Sequence, residues 1–173
     1  MHELTGERLL LGVGIGWMDP EFKALGLDRH RRGRDSDETL QFMNEAFANE
    51  VVSLNDQSFI FNPRPAKPPI YIGGRAPYAL RRAVRYDAGW LPMARSPAKL
   101  AKDLSLFTEI AEGQGKTAGP VTVMTSLDLS DMGAAGAVLD EYAALGVERV
   151  VSGFRYDTLD EYRAGLESLR RLF

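Results

Sequence analysis

Leu11-Gly12-Val13-Gly14-Ile15-Gly16-Trp17 is the stretch from which the fold is read. Successive side chains of a strand point to opposite faces, so Leu11, Val13 and Ile15 make one apolar face while Gly12, Gly14 and Gly16 strip the other. The strand expected here covers Arg8 to Gly14. Similar short apolar runs recur at Pro69 to Gly73, Ala88 to Leu91, Val121 to Leu127 and Val147 to Val151, each with the character of a buried strand.

Between these runs the apolar residues adopt helical spacing. Leu40, Met43 and Phe47 repeat on one face, as do Leu80, Ala83 and Val84, then Leu100, Leu104, Phe107 and Ala111, then Val138, Tyr142 and Leu145, and finally Leu159, Tyr162, Leu166 and Leu169. Asp35 to Glu38 and Thr158 to Glu161 have capping-box spacing, and Pro77 and Pro97 suit first helical positions. Leu145-Gly146-Val147 reads as a helix end with a left-handed glycine. Strand and helix alternating in this way require parallel strands with right-handed crossovers. Two stretches break the rhythm: Trp17 to Arg34, and Val51 to Pro69, which has strand character at Ser58 to Phe61 and ends in four prolines.

The 173 residues have globular composition, 45% hydrophobic and 26% charged, and are expected to form one domain over residues 1–173. Lys and Arg number 21 against 24 Asp and Glu, a net charge of −3 that argues against a nucleic-acid or membrane-surface binder. With no cysteine and only His2 and His30, disulfides, thiolate nucleophiles and Cys/His zinc sites are excluded. No stretch approaches the ~18 apolar residues that span a bilayer, and a cytoplasmic address is expected.

Two places could carry chemistry. A strand face without side chains becomes understandable if a flat ring or another backbone comes close; tight internal packing explains it equally well. The spacing fails the dinucleotide fingerprint, because the third glycine comes one residue early. The second place is Ile72-Gly73-Gly74-Arg75-Ala76-Pro77, two glycines at a strand end just before a helix. Free N–H groups, the positive end of the helix dipole and close backbone approach there all favour an anion such as phosphate; a plain tight turn is the other reading. Arg75 either adds a charge-assisted contact or is merely solvated. Trp90 is read as core, and His30, within a run of arginines, as a solvated residue. Asp19 and Glu21 stand near enough to the strip for acid or base work, or simply cap and face water. Ser152 to Arg155 follow the last strand and are expected on the same rim.

Taken together, Leu11 to Trp17 followed by Glu21, Arg32-Gly33-Arg34 with Glu38, Ile70 to Gly74, and Asp87 to Pro92 resemble the bacterial luciferase-like monooxygenase family in order and spacing. That resemblance runs from about Arg8 to the C-terminus. It implies a (β/α)8 barrel that binds FMN or the deazaflavin coenzyme (F-420) at the C-terminal ends of its strands. Carried onto this chain, it puts Gly14 and Gly16 beside the ring and Gly73, Gly74 and Arg75 at the phosphate. Some deazaflavin-dependent members have a proton-donating glutamate directly after the strip, where this chain has Trp17, which would instead pack against ring or substrate.

A (β/α)8 barrel takes about 250 residues, and the chain opens at what resembles the family's fourth strand. The expected fold is therefore α/β, a partial TIM (β/α)8 barrel of about five parallel βα units from the C-terminal part, with roughly three units absent or encoded upstream. The reactive histidine or aspartate and the strained peptide of the family belong to the absent part. Open edges of a parallel sheet invite pairing, so a homo-oligomer is expected. Two functions remain open: a flavin- or deazaflavin-dependent oxidoreductase acting on a small-molecule substrate, and a noncatalytic half-barrel that binds a phosphorylated ligand or is structural.

Overall fold

The computed structural model describes residues 1–93 and 96–172. Five strands, β1 (Leu11–Val13), β4 (Ile70–Gly73), β5 (Gly89–Leu91), β6 (Thr122–Ser126) and β7 (Arg149–Gly153), follow one another in space in chain order. Between β1 and β4 lies the antiparallel hairpin β2 (Val51–Leu54) and β3 (Gln57–Ile60). Parallel ladders join β1 to β4, β4 to β5, and β6 to β7, while single parallel bridges, Trp90–Val121 and Met93–Met124, connect β5 to β6. The helices are α1 (Asp19–Ala24), α2 (Arg32–Ala48), α3 (Tyr78–Arg85), α4 (Pro97–Glu112), α5 (Met132–Ala144) and α6 (Leu159–Arg170). The result is a mixed α/β fold with parallel sheets.

Paired residues share a sheet face, which sorts the strands into two sides. Val13, Ile72 and Trp90 turn one side toward the helices, where Leu40, Leu80, Leu100 and Phe107 complete a closed core. Gly12, Tyr71 and Gly89 lie on the other side, which is the open one at β1. Along residues 11 to 16 the burial alternates as expected, with Leu11, Val13 and Ile15 half-buried and the three glycines exposed.

Several local signals act as anticipated. Thr158 and Glu161 form the full capping box, with the Glu161 N–H on Thr158 Oγ1 at 3.2 Å and the Thr158 N–H on Glu161 Oε2 at 3.1 Å. Pro97 opens α4, and Gly146 has φ +77°. Asp35 and Glu38 do not cap. The run Arg29–Arg31 forms a 3₁₀ turn capped by Asp28, whose carboxylate accepts the His30 N–H at 2.9 Å, so the helix is already under way at Arg32. Asp35 and Glu38 instead pair with Arg31 (3.5 Å) and Arg34 (2.8 Å) one turn back. Pro77 sits one place earlier than expected, as the cap of α3. The strand at Val51–Leu54 and the short helix α1 fill segments expected to be irregular. Asn55 and Asp56, with φ +50° and +60°, make the two-residue turn between β2 and β3.

Arg82 ties α3 to α2. Its side chain, 11% exposed, donates from Nε to Asp37 Oδ1 at 2.7 Å and from Nη2 to Asp37 Oδ2 and the Gly33 carbonyl, both at 3.1 Å. The Tyr86 hydroxyl donates to the Asp37 carbonyl at 2.9 Å. Arg82→Met strands a half-buried carboxylate and should cost about 2–3 kcal/mol. In urea denaturation, Arg82→Met, Asp37→Asn and the double variant should show a coupling above about 1 kcal/mol; simple additivity would refute the tie.

On the sheet side away from the helices, the buried Tyr71 ring lies where a Cβ on Gly89 would come within 2.5 Å of its Cδ1, and its hydroxyl donates to Glu148 Oε2 at 2.9 Å. Burial first, and the donated hydrogen bond second, raise its pKa above the ordinary tyrosine value. A raised folded value means that this contribution to stability is complete below about pH 10 and is lost as pH climbs through the folded value. Alkaline titration followed at the phenolate absorbance should show a late tyrosine that disappears in Tyr71→Phe. Tyr142, also raised by burial, should keep its own late titration in that variant.

Candidate functional site at the strand ends

The parallel register of Val13 with Ile72 brings the ends of β1 and β4 side by side, so that Gly14 abuts Gly73. A Cβ built on Gly73 would stand 3.4 Å from the Val13 carbonyl oxygen and 3.6 Å from Gly14 Cα, ordinary contact distances. A Cβ on Gly14 would meet nothing within 4 Å. Packing within the chain therefore does not require glycine at either position. Gly12 differs, because a Cβ there would press on Leu91 Cδ2 at 3.1 Å.

Gly16 departs from the expected strip. The strand ends at Val13, and Gly16 adopts φ +73° in the turn beyond it, where a Cβ would meet the Phe22 ring at 2.9 Å. Its glycine is explained by the turn, and it does not extend the strand face. Trp17 follows with 76% of its surface exposed, and its carbonyl accepts from Arg29 Nε at 3.3 Å.

Gly74 continues from Gly73 with φ +130°, a conformation that L residues rarely adopt. Its carbonyl accepts the Trp90 indole N–H at 3.1 Å. Trp90 is completely buried and stacks edge-on against Phe107, with ring centroids 6.2 Å apart. It is core, as read from sequence, and it also pins the twin-glycine turn, a role its sequence neighbours did not signal. The Arg75 side chain is exposed and forms no hydrogen bond or ion pair among the described residues, while its carbonyl takes the Ala79 N–H at 3.1 Å. The N–H groups of Gly74, Arg75 and Ala76 point to no acceptor among the described residues, which leaves a short row of donors ahead of α3.

Other candidates fall elsewhere. Asp19 is ion-paired with Lys23 at 2.7 Å on exposed α1, and Glu21 lies in the same helical turn. His30 is exposed. Ser152 to Arg155 follow the parallel strand β7 on the same rim, as expected, but at the opposite edge of the sheet order from β1. There Phe154 stacks on Tyr162 at 5.8 Å and 19°, with Tyr156 against both, an aromatic cluster that the sequence reading did not single out. Among the described residues no group of three or more His, Asp or Glu is placed to hold a metal ion. Two surface hollows of about 440 and 480 Å³ lie on the helices, one along α6 and one lined by Arg81, Arg85 and Gln114, and neither includes a strand-end glycine.

The fold and the open strand ends define an α/β protein whose candidate site lies where parallel strands finish. A family model described as luciferase-like monooxygenase matches residues 1–166, and the chain belongs to that family. Uncharacterised proteins of Mycobacterium bovis and Mycobacterium tuberculosis are 29% identical to it over 161 residues, covering 88% of this chain and 53% of theirs. The chain thus spans about half the length of the curated relatives it matches. The crystal structure of apo-MsnO8 is similar in fold, with a TM-score of 0.69 at 14% identity over 99% of this chain and 70% of that one. No helix among the described residues is long and apolar enough to cross a membrane.

Proposed function

We propose that the chain is the C-terminal, partial (β/α)8-barrel part of a flavin- or deazaflavin-dependent oxidoreductase of the luciferase-like type, working in the cytoplasm on a small-molecule substrate. One observation carries the reading: Gly14 and Gly73 meet at adjacent strand ends, bare of side chains that the surrounding packing would accommodate. Such a gap fits a flat ring. FMN or the deazaflavin coenzyme, when bound, supplies the hydride or oxygen chemistry.

The chain's own residues supply the seat. Gly14 and Gly73 leave the ring's resting surface flat, and the free N–H groups of Gly74 and Arg75, with the Arg75 guanidinium, suit a terminal phosphate. Trp90 holds the turn from below. Trp17, exposed just past Gly16, is positioned to cover the ring or the substrate and keep water away.

Trp17 also favours a second reading. An indole N–H does not donate a proton at neutral pH, so the position that carries an acid in some deazaflavin-dependent members carries none here. On that reading the chain binds a phosphorylated ring without turning it over. Titration of the purified chain with FMN and with the deazaflavin coenzyme, followed by fluorescence, tests both. Binding of neither defeats the coenzyme reading; binding without reduction by NAD(P)H or by an alcohol or sugar-phosphate donor selects the noncatalytic one.

A further inference from the structure

The outer side of α3 gathers positive charge without acids to balance it. Tyr78-Ala79-Leu80-Arg81-Arg82-Ala83-Val84-Arg85 contains three arginines and no carboxylate. Ala79, Leu80, Ala83 and Val84 are buried in the core, while Tyr78, Arg81 and Arg85 are exposed and follow one another at spacings of three and four along one side of the helix. Elsewhere exposed helical cations have an acid one turn away: Lys23 has Asp19, Arg34 has Glu38 and Arg163 has Asp160. Arg81 and Arg85 have none. Neither guanidinium has a hydrogen-bond or ion-pair partner among the described residues, and two like charges four residues apart repel each other. The carboxylates of Asp37 and Asp87 are committed to Arg82 at 2.7 Å and to Lys116 at 2.9 Å.

These side chains line the hollow of about 480 Å³ already noted on the helices. Ile110 of α4 and Gln114 just beyond it line the same space, as does the Arg82 and Asp37 pair that ties α3 to α2. All of its lining thus comes from residues 37 to 114, with α2 and α4 of this chain on the flanks of α3. It is separate from the strand-end glycines. Its volume is within the range of small-molecule sites, about 300–1,000 Å³, and exceeds what a bare anion fills. An aromatic ring, an apolar side chain, an amide and two unneutralised guanidiniums meet in it.

We propose that this hollow binds a nucleoside phosphate, at a second ligand site that does not depend on the coenzyme reading. The phosphate bridges Arg81 and Arg85 through charge-assisted hydrogen bonds and relieves their repulsion. The base stacks on Tyr78, whose ring is 73% exposed, and the Gln114 amide, at once donor and acceptor, meets its polar edge.

Calorimetric titration of the full chain with AMP, at low ionic strength where screening is least, tests the proposal with no flavin present. Its failure therefore leaves the coenzyme reading untouched. AMP is expected to saturate one site per chain. Arg81→Gln and Arg85→Gln together should weaken binding about a hundred-fold, roughly ten-fold for each charge-assisted contact. Tyr78→Ala should weaken AMP about ten-fold and leave inorganic phosphate unchanged, since only the base reads the ring. Arg75→Gln, in the twin-glycine turn, should leave AMP binding as it was. All four side chains are exposed and without partners among the described residues, so the circular dichroism of every variant should match that of the parent chain. The proposal is overturned if AMP shows no saturable binding, if Arg75→Gln weakens it as much as the paired arginine change, or if Tyr78→Ala has no effect on it.

Discussion

Gly14→Leu is expected to weaken coenzyme binding at least a hundred-fold, about 2.7 kcal/mol, while leaving the chain as stable as before to within about 1 kcal/mol. The separation follows from the surroundings of this glycine. Its backbone lies outside the left-handed region, so an L residue adopts it freely. A Cβ there touches nothing within 4 Å, so no packing is disturbed. What a leucine does occupy is the space above the paired ends of β1 and β4, where the ring is proposed to lie. Gly74→Ala supplies the contrast. At φ +130°, with the Ala79 Cβ 3.3 Å from the new methyl, it should lower stability by about 1–3 kcal/mol. Denaturation and coenzyme titration of both variants check the pair of outcomes. Undiminished binding by Gly14→Leu would remove the ring from this position.

The parts of the fold that were legible are those dictated by local period. The strands at Ile70–Gly73 and Gly89–Leu91 stand within one residue of the apolar runs that announced them, because a strand buried between neighbours needs an unbroken apolar stretch. The bare face of Gly12 and Gly14 was legible for the same reason, since alternation assigns faces without knowledge of the partners. Asp35 misled because a capping signal has no rank: Asp28, seven residues earlier, starts a 3₁₀ turn that delivers the chain into α2 before Asp35 is reached. Gly16 misled because strip and turn look alike in sequence, and only the Phe22 ring beneath it tells them apart. The strand at Val51–Leu54 owes its pairing to the Asn55-Asp56 turn and to β3, partners that no windowed pattern in its own four residues reveals. The aromatic cluster at Phe154 joins residues of a loop and of α6, a tertiary meeting with no periodic trace.

Trp90 is where fold and site depend on the same atoms, and its substitutions should divide the two. Trp90→Ala empties a fully buried ring volume beside Phe107 and is expected to cost about 3–5 kcal/mol, enough to unfold much of a marginally stable chain. Trp90→Phe keeps most of the apolar volume and deletes the indole N–H that the Gly74 carbonyl accepts, so the lost bond and the smaller buried ring together are expected to cost about 1–3 kcal/mol. That carbonyl belongs to the turn whose N–H groups are proposed to meet the phosphate. Trp90→Phe should therefore stay folded at room temperature yet bind FMN or the deazaflavin coenzyme less tightly. The loss should shrink when the corresponding ring without phosphate, riboflavin in the flavin case, is titrated instead, because only the phosphate reads the turn. A Trp90→Phe protein that loses affinity equally for phosphorylated and phosphate-free rings would show that Gly74 shapes the ring seat rather than the anion site. Unchanged affinity for both would detach the turn from binding altogether and leave Trp90 as a core residue whose hydrogen bond only secures the bend between β4 and α3.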